Sequence, residues 1–316
     1  MTEYIFTSNE MMTADQLAIK NGISSQSLMH NAGEAVLKNL PLDHNGIVLI
    51  ICGPGNNGGD GYVVAGLLSN LGVTVEVVSL EFGKIPSKDN QFYKNKLDQL
   101  IFKRKPGDLS NYEYVVDALF GMGLSRNLSD EVNDLINDIN SADLDVYSID
   151  VPTGINSDTG EVHGTAFKSK KTITFFNKKL CHYLLPGRQY CGEIVVEDIG
   201  ISKNVIKKIM PKIKKNEPFL WIDQFPFPIS SDHKYSRGML VINTGPKYQT
   251  GAARLAGRSA LRVGAGAVTM VCDEETAEIL EPQISVELLS VIKEKNDFQK
   301  LLKDKRVSSV LIGPGN

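Results

Sequence analysis

No apolar run in the 316 residues approaches the ~20 that a helix needs to cross a bilayer. The opening, MTEYIFTSNEMM, has no basic stretch leading into an apolar one, as an export signal would. Excess charge is equally scarce. Thirty-four Lys and Arg against 37 Asp and Glu leave a net charge of −3, with bases interspersed among acids. That pattern offers neither nucleic acid nor a membrane surface an electrostatic footprint. The one lysine-rich stretch, KNVIKKIMPKIKKN, reads as a solvated helix face running into a linker. Only four cysteines occur, Cys52, Cys181, Cys191 and Cys272, without paired metal spacing, so they read as buried thiols in a reducing compartment. A soluble, cytoplasmic protein is expected. Its length exceeds what one hydrophobic core usually serves, which predicts two domains.

What is present is an alternation of apolar strands and helices. Thr13 and Gln16, spaced as a capping box, predict a first helix that Gly22 closes, and a second is expected from about Ser25 to Leu40. Then follow GIVLIIC, a glycine turn, a helix over 61–71, VTVEVVSL, a helix around 88–100, a short strand, YEYVVDALFG, a helix over 129–141, and DVYSIDVP. Such alternation predicts a parallel sheet covered on both faces, a Rossmann-like three-layer α/β sandwich. KTITFFNKKLCHYLLPGRQYCGEIVVEDIGI adds two strand-like runs around a Pro-Gly turn. A first domain over 1–210, a linker over 211–235 and a second α/β segment over 236–316 are expected. The second opens with GMLVINTG and a helix of small residues and reaches a glycine turn at LIGPGN.

Ligands of such sheets gather at the carboxyl ends of the strands. Three ends carry chemistry: CGPGNNGGDG after the first strand, Asp117 with ALFGMGLSRN, and Asp150 with VPTGINSDTG. Glycines at a strand-to-helix turn admit close backbone approach, and the helix start offers free N–H groups to phosphate. Gly53 to Gly58 also match G-x-G-x-x-G, with Glu81 where a ribose-binding acid would stand, so a dinucleotide dehydrogenase is one reading. Asp60 opposes it, because a carboxylate at that helix start repels pyrophosphate. Asn57 and Asp60 instead supply hard oxygens for hydroxyl groups or a cation beside a phosphate. Either aspartate alone could simply cap a turn.

These motifs, in this order, resemble the NAD(P)H-hydrate epimerase family over residues 1 to about 205. HKYSRGMLVINTG, TGAARLAGRSALRVGAGAVTMV and LIGPGN are similar to the start of the ribokinase-like NAD(P)H-hydrate dehydratases. The resemblance implies a substrate in which water has added at C6 of the nicotinamide ring of NADH or NADPH, with the R and S forms interconverted. It implies a nucleotide site of Asn56, Asn57, Gly58, Gly59 and Asp60, of Gly121, Met122, Gly123, Leu124, Ser125, Arg126 and Asn127, and of Asp150. It also implies potassium (K+) held by Asn57, Asp117 and Thr153, and points to a homodimer. Asp150 is expected to act as general acid with a pKa raised by burial. Ala252 and Gly315 match substrate-lining positions of the dehydratases. Those relatives carry a later Gly-x-Gly-Asp motif that is not found here, so loss of dehydration and of ADP or ATP binding is expected. His30 stands where epimerase relatives commonly have Glu, and is expected to serve packing or an interface. A non-catalytic scaffold and a small-molecule kinase or hydro-lyase acting through the second segment are the alternatives.

Overall fold

The computed structural model describes residues 3–42, 46–97, 100 and 102–315. The chain divides into two compact units, 1–216 and 217–316. In the first, β1 (Tyr4–Ile5) leads into α1 (Ser8–Lys20) and α2 (Ser25–Leu37). The cap of α1 is Thr7, whose hydroxyl and backbone N–H close a box with Glu10. Thr13, expected in that role, lies inside the helix and donates back to the Asn9 carbonyl. Gly22, at φ +103°, ends α1 as expected.

Then come β2 (Ile47–Cys52), α3 (Asn56–Asn70), β3 (Val75–Ser79), α4 (Lys88–Lys94), β4 (Phe102–Lys103), β5 (Tyr112–Ala118), α5 (Asp130–Ser141), β6 (Asp145–Ile149), β7 (Lys171–Phe175) and β8 (Glu193–Glu197). The helix expected over 88–100 ends at Lys94, and residues 98 and 99 lie outside the described residues. The seven strands from β2 to β8 form one sheet in the order β4-β3-β2-β5-β6-β7-β8, every neighbouring pair parallel. Even the two runs flanking Pro186-Gly187 pair in parallel, because the segment between them crosses over instead of folding back as a hairpin.

The period of two is visible in β2. Val48, Ile50 and Cys52 pack under α1, α2 and α3. Leu49 and Ile51 face the opposite layer, where Val132, Ile136 and Ile139 of α5 cover them. The chain runs outward from β2 through β3 and β4, then returns to β5 on the other side of β2. A crevice therefore opens between the carboxyl ends of β2 and β5.

The stretch expected as a linker is not uniform. After α6 (Asn204–Ile209), β9 (Ile213–Lys214) pairs antiparallel with β1, and the second unit begins at Glu217. That unit contains β10 (Met239–Asn243), α7 (Gly251–Val263), β11 (Ala267–Cys272), α8 (Glu274–Leu280), β12 (Leu288–Val291), α9 (Lys295–Leu302) and β13 (Val307–Leu311). Its four strands are parallel in the order β12-β11-β10-β13. Ile242 and Val268 pack on α7, and Val241 and Val271 on the α9 side. Among the described residues no helix is long and apolar enough to cross a membrane.

Candidate active site

The crevice holds a cavity of about 650 Å³. Asn56, Asn57 and Asp60 line it from the start of α3, Gly121, Met122 and Gly123 from the loop after β5, and Asp150 from the end of β6. Asp15 of α1, Met29 of α2, Lys84 of the loop after β3, and Lys179 also line it.

The glycine loop is built differently from the expectation. The helix begins at Asn56, five residues earlier than expected, so Asn-Asn-Gly-Gly-Asp is its first turn. Gly58 and Gly59 are buried and do not line the cavity. A Cβ on Gly58 would collide with the Gly53 carbonyl, and one on Gly59 would stand 2.5 Å from the Met29 sulfur. Here glycine lets α3 lie against its own turn and against α2, while Asn56, Asn57 and Asp60 face the ligand space. Gly55 caps the helix with no side-chain hydrogen bond, which leaves the first N–H groups without a side-chain acceptor.

Asp150 sits just past β6 in the left-handed region, φ +65°, a conformation costly for a residue with a Cβ. Its neighbours over-determine it. The backbone N–H donates to the Ile173 carbonyl at 2.7 Å, and its own carbonyl lies 3.1 Å from His182 Nε2. Oδ1 accepts from Lys179 Nζ at 2.5 Å and from Thr174 Oγ1 at 2.8 Å. Lys179 is wholly buried, and its ammonium also reaches Thr174 Oγ1 at 2.7 Å and the Phe175 carbonyl at 3.2 Å. His182 Nδ1 accepts the Lys179 backbone N–H at 3.0 Å, so Nε2 carries the proton toward Asp150. Burial, reinforced by Lys179, pushes the imidazole down to about 3, and it stays neutral.

The expected raised pKa of Asp150 is therefore corrected. Burial pushes it up, but the Lys179 ammonium and the Thr174 hydroxyl outweigh that and hold the carboxyl below its ordinary value. The raised carboxyls are its neighbours. Burial, opposed by Lys179 and reinforced by Asp150, lifts Asp15 to about 6. Burial together with Asp150 and Asp15 lifts Asp60 well above the usual range.

Asp117 lies beneath the cavity floor, fully buried. It accepts from Thr153 Oγ1 at 2.6 Å, Thr153 N–H at 2.8 Å, Ser148 Oγ at 2.8 Å and Leu119 N–H at 3.2 Å. Burial raises its pKa despite these donors, none of which carries a charge. Thr153 Oγ1 also contacts the N–H and carbonyl of Phe120, at 2.9 and 3.2 Å. Asn57 packs on the next residue, Gly121, and its Nδ2 is buried without a partner. Half a turn of that amide brings its oxygen to the same place. A buried carboxylate without a cation, a hydroxyl, a carbonyl and an orphaned amide around one peptide fit a hard cation of low charge. Among the described residues no three His, Cys, Asp or Glu gather as a metal cluster.

Other expected residues fall elsewhere. Leu124 belongs to the α5-side core, and Ser125, Arg126 and Asn127 are exposed and do not line the cavity. His30 is partly exposed, 3.6 Å from Glu34 and stacked on Tyr93, and does not line the cavity. In the second unit Ala252 is exposed at the start of α7. Gly315, at φ +84°, backs onto Gly245 and Gln249 of the loop before α7. All four cysteines are buried and unpaired.

Asp15, Lys179, Thr174 and His182 were not expected at the site. Lysine is ordinarily an exposed residue, and nothing in FFNKKLCHY marks which of its two lysines turns inward. Asp15 sits within a helix that reads as plain amphipathic structure.

The fold and crevice together define a doubly wound α/β protein with a cavity at the topological switch point of its sheet. The family model described as YjeF-related protein N-terminus matches residues 25–181, and that described as NAD(P)H-hydrate dehydratase matches 239–315. A bifunctional NAD(P)H-hydrate repair enzyme of Coxiella burnetii is 34% identical over 98% of this chain, which spans 64% of that relative's length. An NAD(P)H-hydrate epimerase of Oenococcus oeni is 36% identical over 64% of this chain and 99% of its own. The crystal structure of yeast ynu0, YNL200c, superposes with a TM-score of 0.55 at 20% identity, over 67% of this chain and 96% of that one, and shows the shared fold. The chain belongs to the NAD(P)H-hydrate epimerase family and joins to it a segment of the dehydratase type. The match over 239–315 gives no support to the expected loss of dehydration.

Proposed function

We propose that the first unit interconverts the R and S forms of hydrated NADH and NADPH. The observation that carries this reading is the buried Asp150–Lys179 pair at the wall of a cavity large enough for a nucleotide's reactive end, in a chain of the epimerase family. The uncapped start of α3, with Asn56 and Asn57, suits the phosphates, and Gly121, Met122 and Gly123 extend that surface. Asp150, held ionised, is suited to face positive charge instead of supplying a proton. As the C6–O bond breaks, the N1 lone pair moves into the N1–C6 bond and the ring becomes cationic. A fixed carboxylate beside it lowers that barrier. The departing oxygen takes a proton from a carboxyl kept neutral by burial, and leaves as water. Water then adds to C6 from the other face and returns a proton, which gives the opposite epimer without net oxidation.

Asn57, Asp117 and Thr153 would hold potassium, which when bound supplies the positive charge that buried Asp117 lacks and ties the β5 loop to α3. The second unit, with Ala252 and Gly315 near its glycine turn, is proposed to act on the S form with ADP or ATP. Pure R-hydrate incubated with the protein, with and without potassium, should convert to S faster than it does alone, followed by chromatographic separation of the epimers. An unaccelerated conversion would end the epimerase reading. S-hydrate mixed with ATP or ADP tests the second unit by the return of NADH absorbance.

A further inference from the structure

The proposed epimerisation needs a group that both gives and receives a proton, and Asp150 is committed to Lys179. α1 supplies another carboxyl from a segment that precedes the family match at residue 25. The helix is held firmly. Thr7 and Glu10 close its start, the Ser8 N–H donates to Asp158 Oδ1 at 2.7 Å, and Ser8 Oγ lies 2.6 Å from Ser157 Oγ, both in the loop that follows Asp150. Met11, Ala14 and Ala18 are buried beneath it. Asp15, on this anchored helix, lines the cavity. Among the described residues no hydrogen bond or ion pair engages its carboxyl.

We infer that Asp15 is the proton-transfer residue of the site, giving a proton to the oxygen that leaves C6 and recovering one from the water that adds on the opposite face. This rests on the epimerase reading. The groups that face it are Lys179 and Asp150 from the β6–β7 side and Asp60 from α3, with Lys84 and Asp89 on the same cavity wall. Burial, partly offset by Lys179 and reinforced by Asp150, sets the carboxyl to about 6, so both protonation states are accessible near neutrality. Burial, with Asp150 and Asp15 adding to it, also raises the Asp60 carboxyl, which sits on α3 across the cavity.

The test is the pH profile of kcat/KM for conversion of R-hydrate to S by the full chain. Wild type should lose activity as pH rises through about 6. Asp15→Asn should lower the rate by about 10²-fold and flatten that limb, and Asp15→Glu should recover part of both. An Asp15→Asn protein that keeps the wild-type rate and limb overturns the assignment alone, and a wild type inactive at every pH removes the substrate reading together with it. If Asp15→Asn does not fold, the absence of a limb near 6 in wild type, or an Asp15→Glu profile identical to it, overturns the assignment.

Discussion

The two units share one architectural plan, parallel strands with helices on both faces, and differ in what lies inside. The first buries Asp117, Asp150, Lys179, His182, Thr174 and Ser148 at or near its strand ends. Among the described residues the second buries only threonines and Glu287 as polar groups, and it leaves Leu255, Val263, Val286 and Ile312 exposed at 64–70%. A parallel sheet makes a crevice wherever its strand order reverses. Chemistry comes only where the sequence places charges there and surrounding elements satisfy them. In the first unit, burial of a charge and completion of its hydrogen bonds are one device. The second offers backbone loops and helix starts instead.

The largest way to break this contrast is to remove one half of the buried pair. Lys179→Met should cost about 3–5 kcal/mol by leaving Asp150 buried and unpaired. Hydrogen exchange of the β6 and β7 amides would measure it, with β10 and β11 unchanged. Asp150→Asn, by removing the fixed negative charge beside the ring, should cut epimerisation by about 10²-fold or more. The double variant Asp150→Asn/Lys179→Met should regain most of the stability and none of the activity, which a double-mutant cycle reads directly.

Packing comes next. A Cβ on Gly61 would stand 2.5 Å from Ala118 Cβ and 2.8 Å from Cys52 Sγ, so Gly61→Ala should cost about 1–3 kcal/mol in denaturant unfolding.

Titration gives a smaller effect with a defined sign. Asp15 has its folded pKa raised to about 6 from an ordinary 3.8, so its neutral form favours folding, fully below 3.8, and that contribution is lost as pH rises through about 6. Asp15→Asn should therefore match wild type at pH 4 and exceed it by on the order of 2 kcal/mol at pH 8, a gain in stability against a loss of rate. Asp150, with its pKa lowered, works in the opposite direction: its contribution is present above its ordinary value and is lost as pH falls below that. The smallest effect is Gly251→Ala at the start of α7, where a Cβ meets nothing within 4 Å. It should raise stability by no more than about 1 kcal/mol.

The alternation of strands and helices, the crevice at the strand ends and the positions of Asp117 and Asp150 were legible in the residues, because apolar periodicity and turn composition are local signals. The start of α3 was misplaced because NNGGDG reads as a loop by composition, while packing against Gly53 and Met29 makes it helical. The cap of α1 was misplaced for a related reason: Thr7–Glu10 and Thr13–Gln16 both show the box spacing, and only contacts with Ser157 and Asp158 favour the first.

By itself the sequence determined a doubly wound parallel sheet and the rim at which its polar groups collect. Tertiary structure alone decided their protonation states. Whether Asp150 is acid or anion depends on a lysine 29 residues away along the chain, and Asp15 reaches the same cavity from 135 residues away. Those meetings are set by which strand lies beside which and how the helices cover them. The energy of a buried charge depends on its neighbours in space, which no local pattern encodes.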